Sequence, residues 1–182
     1  SFAAMRQAIL TLVTLLLIAQ TVLAQLLENG DYRIYYGNYQ VPKTHRYFTA
    51  KYDLGGGSVQ TYPKNSTSNN QIWRLRNKSK GQVTLESKGN RGKYLGLRRS
   101  GANPGAYLGV VPNPVRFNIA RKAGGPFTSY ELAYPKKVNG ETLVVSIDNG
   151  EGKEEPYYVN FEVQGAEGTF GSFKMARVSG SQ

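Results

Sequence analysis

Short runs in which apolar and polar residues alternate follow one another along this chain from residue 32 onward. Clear examples are Val115-x-Phe117-x-Ile119, Leu143-x-Val145-x-Ile147 and Tyr157-x-Val159-x-Phe161. Such a period of two gives a β-strand one apolar face and one wetter face. Clusters of Gly, Asn, Pro and Ser separate the runs and favour turns, and no window after residue 24 has a helical period. The sequence therefore predicts an all-β protein.

The alternating runs occur three times in the same order, four runs to a copy. The opening runs are centred on Ile34, Leu85 and Leu132. The copies close with an aromatic-x-aliphatic pair, namely Trp73-x-Leu75, Phe117-x-Ile119 and Phe173-x-Met175, with Phe161 as a competing choice in the third copy. One such unit cannot bury its apolar face alone, whereas three around an axis can. We therefore predict a β-trefoil, a six-stranded barrel capped by three hairpins with pseudo-threefold symmetry. A two-sheet sandwich is the alternative.

The chain has no cysteine, so its core must form without disulfides or thiolate chemistry. Thirteen Tyr, seven Phe and one Trp supply large side chains for that core. With no cysteine and a single histidine, His45, the sequence lacks the ligands of a transition-metal cluster. We therefore expect no metal site and no cofactor.

The first residues have the plan of a secretory signal. Met5 and Arg6 precede an apolar run from Ile9 to Ala19, and small residues end the segment at Ala24. The run is shorter than the ~18–20 residues that a membrane-spanning helix needs. We expect residues 1–24 to be a leader and signal-peptide helix. A single β-trefoil domain over residues 25–182 follows, with copies at about 27–76, 81–121 and 128–178. The protein is then secreted and extracellular, with no membrane attachment after cleavage.

The segment Ser58–Leu75 carries the most specific pattern in the chain. It contains Val-Gln-Thr-Tyr, ending at Tyr62, and then Asn-Gln-Ile-Trp-Arg-Leu, ending at Leu75. This pattern resembles the Gln-x-Trp unit of ricin-B-type (R-type) lectin domains, and elsewhere the likeness is only architectural. The resemblance implies non-covalent binding of a carbohydrate or glycoprotein, with Tyr62 as the ring that stacks on a sugar. It also implies that Gln60 and Asn70 bind the sugar hydroxyls.

Two further residues take structural roles under the same resemblance: Gln71 braces the loop and Trp73 belongs to the core. The chain departs from the family at the carboxylate of the second strand, because residues 47–50 contain no acid. Asp53 is the nearby substitute, reaching in from the turn. The second and third copies also lack the Gln-x-Trp pattern, so we expect at most one sugar site of this type.

The start of the first copy, Leu27–Ile34, is similar to fungal β-trefoil proteins, some of which are lectins. Others are protease inhibitors of the mycocypin and related serine-protease-inhibitor groups, which act through exposed loops. The alternative function is therefore protease inhibition. The loops that suit it are Gly37–Arg46, Arg98–Gly105 and Lys136–Gly140, where Arg98 or Arg99, or Lys136 or Lys137, would enter an acidic specificity pocket.

The motifs weigh against catalysis, and the secretory signal weighs against nucleic acid as a partner. His45 has no Gly-x-Ser-x-Gly elbow to accompany it, and the acids between Asp148 and Glu155 lie in a stretch typical of a solvated loop. We expect no enzyme activity. The formal net charge is +11, or +10 without Arg6, which favours anionic surfaces. The basic residues are spread along the chain, and a secreted protein rarely meets nucleic acid, so we do not expect that partner.

Asn65-Ser-Thr and Asn77-Lys-Ser are acceptor sequences for N-glycosylation. They carry weight because the chain has a secretory signal. A glycan on Asn65 would lie in the loop of the proposed sugar site.

Overall fold

The computed structural model describes residues 27–37, 42–52, 57–78, 81–122, 128–148, 155–167 and 170–179. The signal segment 1–24 lies outside these ranges. Within them the chain forms twelve β-strands and two short 3₁₀ helices. None of these helices has the length and hydropathy of a membrane span. The all-β prediction is confirmed.

The strands fall into three groups of four, as the sequence repeat predicts. In chain order they are β1 Gly30–Tyr36, β2 Arg46–Lys51, β3 Ser58–Tyr62, β4 Trp73–Asn77, β5 Gln82–Ser87, β6 Tyr94–Leu97, β7 Leu108–Val111, β8 Phe117–Lys122, β9 Ser129–Ala133, β10 Leu143–Asp148, β11 Tyr158–Val163 and β12 Lys174–Arg177. The 3₁₀ helices are Pro42–Thr44 and Asn69–Gln71.

The first and last strands of each group form a closed antiparallel barrel. β1 pairs with β12 and β4, β4 with β5, β5 with β8, and β8 with β9. Tyr130 of β9 closes the ring by bridging to Phe173, just before β12, with backbone hydrogen bonds of 2.7 and 2.8 Å. This is the predicted six-stranded barrel, and a two-sheet sandwich would not close in this way.

The middle strands of each group form three hairpins, β2–β3, β6–β7 and β10–β11. The hairpins also touch one another. Tyr158 lies opposite Gln60, Tyr107 bridges to Asn160, and the Val110 amide donates to the carbonyl of Gly57 over 3.2 Å. Each hairpin therefore contacts the other two, as pseudo-threefold symmetry requires.

Aromatic and aliphatic side chains from all three copies fill the barrel. The residues that close the copies, Trp73, Phe117 and Phe173, are fully buried. Phe161 is also buried, but it lies in the hairpin strand β11, so Phe173 takes the closing role in the third copy. The Trp73 indole N–H donates to the carbonyl of Phe48 over 3.0 Å, which satisfies its one polar atom. The core position predicted for Trp73 is confirmed.

Candidate functional site

Tyr62 and Gln60 lie together on the outer face of the first hairpin. The alternate residues of β3, Val59 and Thr61, are buried against the barrel, so Gln60 and Tyr62 face outward. Both are half-buried, and the Tyr62 hydroxyl donates to Gln60 Oε1 over 3.0 Å. The ring is thus held at its tip while part of it stays exposed. An aromatic ring beside a fixed amide suits a pyranose, which has an apolar C–H face and a rim of hydroxyls.

A lysine side chain covers one face of this ring. The Lys51 ammonium, from the end of β2, lies 4.5 Å from the centre of the Tyr62 ring. That distance is within the range of a cation–π interaction. A sugar that stacks on the same face must displace the ammonium, whereas an acidic group on the sugar would pair with it.

The buried amide of Gln71 organises the loop that follows Tyr62. Its Oε1 accepts from the Asn65 amide over 2.7 Å, and its Nε2 donates to the Pro63 carbonyl over 2.8 Å and to Thr49 Oγ1 over 3.1 Å. Three bonds from one buried side chain fix the loop to β2. The expected bracing role of Gln71 is therefore confirmed.

Asn70 lies in the loop between β3 and β4. It belongs to the 3₁₀ helix Asn69–Gln71, where its amide donates to Ser68 Oγ over 3.2 Å. Its side-chain carbonyl packs so closely on Gly89, in the turn after β5, that a β-carbon there would collide with it. Among the described residues, no hydrogen bond joins Asn70 to Gln60 or Tyr62. Asp53 lies outside the described residues.

The strand register identifies the equivalents of Tyr62 in the other copies. Tyr62 lies opposite Tyr47 of β2, and Tyr47 pairs in turn with Tyr35 of β1. The same two pairings place Val111 opposite Tyr94 in the second hairpin and Glu162 opposite Val144 in the third. The position of Tyr62 thus carries a ring in the first copy alone. Burial raises the pKa of Glu162. The hydrogen bond from Asn160 lowers this pKa, and the nearby charge of Asp148 raises it further.

Two of the loops considered for protease inhibition are described in full. In Lys136–Gly140, both lysines are exposed and a tight turn joins Val138 to Glu141 through two backbone hydrogen bonds of 2.9 and 3.0 Å. In Arg98–Gly105, Arg98 is half-buried, Arg99 is exposed, and the loop lines a cavity. Residues 38–41 of the third loop lie outside the described residues.

Sequence analysis did not predict an aromatic cluster beside the first hairpin, in which the buried Tyr47 lies opposite Tyr62. Tyr35, His45 and Tyr47 pack together. The ring centre of Tyr35 lies 4.8 Å from that of His45 and 5.1 Å from that of Tyr47. Burial raises the pKa of both tyrosines, so they stay neutral. Tyr35 and Tyr47 lie on adjacent strands. Their contact could be predicted only from the register between β1 and β2, which the sequence does not give.

A second aromatic pair was also missed. Tyr107 and Tyr158 are 40% and 37% exposed, and their ring centres lie 5.2 Å apart. Each stands four residues before the equivalent of Tyr62 in its own copy, so the repeat itself contained the signal. Among the described residues, no group of three His, Asp or Glu side chains is placed to hold a metal ion.

Comparison with solved structures finds the same architecture in several proteins. The ricin B-like lectin of Macrolepiota procera, solved in complex with lactose, is 19% identical over 85% of this chain and 99% of its own, with a TM-score of 0.63. The Rhizoctonia solani agglutinin is 19% identical over 84% of this chain and 97% of its own, with a TM-score of 0.62. The designed threefold-symmetric protein ThreeFoil is 16% identical over 82% of this chain and 100% of its own, with a TM-score of 0.58.

Neither a protein-family model nor a curated protein sequence matches the chain. The likeness therefore lies in the fold, and it agrees with the closed barrel and the three hairpins described above. This chain has the ricin-B-like β-trefoil fold.

Proposed function

We propose that this protein is a secreted, non-catalytic lectin-like protein that binds a carbohydrate, free or on a glycoprotein, at Tyr62. One observation carries the proposal: a half-buried ring, bonded at its tip to Gln60, on the outer face of a hairpin whose loop is braced by Gln71. The ring supplies a stacking surface and the amide a directed polar contact. Such sites bind a sugar without changing it.

Lactose is the first ligand to test, because it is the sugar bound in the Macrolepiota procera lectin structure. The sequence resembles the Gln-x-Trp pattern of R-type lectins, but it lacks the carboxylate that this pattern has on the second strand. Tyr47 occupies that neighbourhood and packs on Tyr35 instead. We therefore expect weaker or different sugar selectivity, so a glycan array on the mature protein should precede titration.

The deciding variant is Tyr62→Ala. We expect it to weaken binding of the preferred sugar by about tenfold or more, which corresponds to about 1.4 kcal/mol, because the stacking surface is lost. Folding should change little, since the ring lies outside the hydrophobic core cluster. Isothermal titration measures the affinity, and circular dichroism checks the fold.

Phe170→Ala is the matched control, because it removes another exposed aromatic ring, 48% accessible, from a different segment. It should leave the array profile unchanged. A Tyr62→Ala protein with the wild-type profile would remove the Tyr62 site, and a wild-type protein that binds no glycan would reject the function. Among the described residues, no contact favours the protease-inhibitor alternative.

A further inference from the structure

A cavity of about 530 Å³ lies at the loop end of the second hairpin, between Arg98 and Tyr107. Val111, the equivalent of Tyr62, is at the opposite end of this hairpin. The cavity is therefore distinct from a sugar site of the Tyr62 type. Its volume lies in the range of about 300–1,000 Å³ that small-molecule sites in proteins occupy.

Backbone hydrogen bonds hold the walls of the cavity in place. The Gly105 amide donates to the Phe161 carbonyl over 2.7 Å, and the Phe161 amide donates to the Ala106 carbonyl over 3.0 Å. The Arg98 amide donates to the Tyr107 carbonyl over 3.1 Å, which closes the loop at its base. The loop is thus attached to β11 as well as to its own hairpin. A wall anchored in this way is largely formed before a ligand arrives.

Tyr107 presents a fixed ring at the edge of the cavity. Its hydroxyl donates to Asp148 Oδ2 over 2.9 Å, and its ring packs beside that of Tyr158. The ring is 40% exposed, so one part of it is available for stacking. Tyr107 and Tyr158 stand at equivalent positions, where the first copy has the buried Ser58.

The charged residues that line the cavity are both arginines, Arg98 and Arg99, and the described lining includes no carboxylate. The stem of Arg98 packs near Gly109, where a β-carbon would lie 3.3 Å from Arg98 Cβ. Arg99 is exposed. Guanidinium groups bind carboxylate and sulfate through paired hydrogen bonds. Asp148 accepts from the Tyr107 hydroxyl over 2.9 Å, and the two arginines outnumber this one carboxylate.

We propose that this cavity is a second binding site, which takes an acidic saccharide. The carboxylate or sulfate of the sugar lies on Arg98 and Arg99, and its pyranose ring stacks on Tyr107. The net charge, +10 without Arg6, draws such ligands toward the protein. This site stands on different residues from those of the Tyr62 site and does not depend on it.

The test is a titration of the mature protein with trigalacturonate and with galactotriose, its neutral counterpart. Trigalacturonate should bind more tightly and lose affinity as salt is raised, because the contact is ionic. The double variant Arg98→Gln/Arg99→Gln should lose about tenfold or more of that affinity, since two charge-assisted hydrogen-bond donors are removed. Tyr107→Ala should weaken both the charged and the neutral trisaccharide at this site.

Lys136→Gln/Lys137→Gln is the charge-matched control, because it removes two exposed cations elsewhere. It should retain binding of trigalacturonate, and so should Tyr62→Ala. Equal affinity for the two trisaccharides, or equal losses in the arginine and lysine double variants, would overturn the proposal. Tyr107→Phe keeps the ring and should keep most of the affinity, which separates stacking from a folding defect. Failure at Tyr62 leaves these outcomes unchanged, so the two sites are tested separately.

Discussion

Lys51 controls how a ligand reaches the ring of Tyr62. Its ammonium lies 4.5 Å from the ring centre and must leave before a neutral sugar can stack on that face. A cation–π contact at an exposed site is worth about 0.5–1 kcal/mol, so Lys51→Met should raise the affinity for a neutral sugar about two- to fivefold. Isothermal titration with the best neutral ligand measures the change.

The control for this prediction is Lys64→Met, which removes an exposed cation from the loop just after Tyr62. It tests whether charge near the site, rather than cover of the ring, sets the affinity. Lower affinity in Lys51→Met would show that the ammonium contributes to binding. In that case the ring face under Lys51 is not where the sugar stacks.

Asp31 is a buried carboxylate held between two cations. It is 2% exposed, and Arg74 Nε and Lys88 Nζ lie 3.0 and 2.9 Å from its oxygens. Burial raises the pKa of Asp31, but the hydrogen bonds and charges of Lys88 and Arg74 outweigh it and hold the pKa below its ordinary value. The charged form therefore stabilises the fold above the unfolded-state pKa of about 4, and this stability is lost as pH falls through the folded-state pKa.

We expect Asp31→Asn to lower the free energy of unfolding at pH 7 by about 1.5–3 kcal/mol, the range for hydrogen bonds to charged groups. The difference from the wild type should shrink as pH falls from 5 to 2. Urea unfolding at several pH values measures both quantities. A difference that stays constant over this range would contradict the assigned role of Asp31.

At the scale of elements, the sequence predicted the strands well because each strand has one buried face. The alternating runs, and the aromatic pairs that close the copies, all lie in or directly beside strands of the structure. The bond between Tyr62 and Gln60 was not predicted in detail, but their shared face followed from a spacing of two residues. The repeat places Tyr107 and Tyr158 at equivalent positions, but the contact between their rings could not be predicted, because it joins different hairpins. Contacts of that kind depend on the packing of hairpins around the axis.

The junction between the first and second hairpins gives a prediction at the same scale. The other two junctions place a tyrosine opposite Gln60 or Asn160, but here Gly109 meets the backbone of Gly57. A β-carbon on Gly109 would collide with the Gly57 carbonyl oxygen, which is backbone and cannot move aside freely. Gly109→Ala should therefore lower the free energy of unfolding by about 1–3 kcal/mol, the usual cost of overpacking.

Urea unfolding compares Gly109→Ala with Arg116→Ala. Arg116 is exposed, so its replacement should change stability by no more than about 0.5 kcal/mol. Equal stability of the wild type and Gly109→Ala would show that the two hairpins can separate at no cost. The close approach would then not be required by the fold.

At the scale of the molecule, the two proposed sites lie at different ends of the hairpins, on a barrel without disulfides. The end next to the barrel carries Tyr62 in the first copy, and the loop end carries Tyr107 in the second. Pseudo-threefold symmetry repeats the backbone at each position, while the side chains differ between copies. Each copy can therefore present a different chemistry on the same frame, so the fold alone does not fix the ligand.

The whole chain also carries a prediction about its maturation. If residues 1–24 are a secretory signal, the secreted protein begins at Gln25 and passes the glycosylation machinery. Asn65 is exposed, and its side-chain oxygen accepts from the amide and hydroxyl of Thr67 over 3.1 and 2.9 Å, while its amide nitrogen faces no described acceptor. The side-chain nitrogen of Asn77, Nδ2, instead donates to the Leu27 carbonyl over 2.8 Å, which fixes the segment before β1.

We therefore expect a glycan on Asn65 and none on Asn77, because a sugar on the Asn77 nitrogen would compete with its bond to Leu27. Mass spectrometry of the protein secreted by a eukaryotic host, after enzymatic deglycosylation in heavy-oxygen water, marks an occupied asparagine as labelled aspartate. Thr67→Ala should abolish the label at Asn65, and Ser79→Ala should change nothing. A label at Asn77, or a secreted chain that retains residues 1–24, would contradict this account. The backbone N–H of Asn65 donates to Gln71, so Asn65 belongs to the braced loop that follows Tyr62. A glycan on Asn65 would lie in this loop, and its removal should increase binding of large glycans more than of lactose.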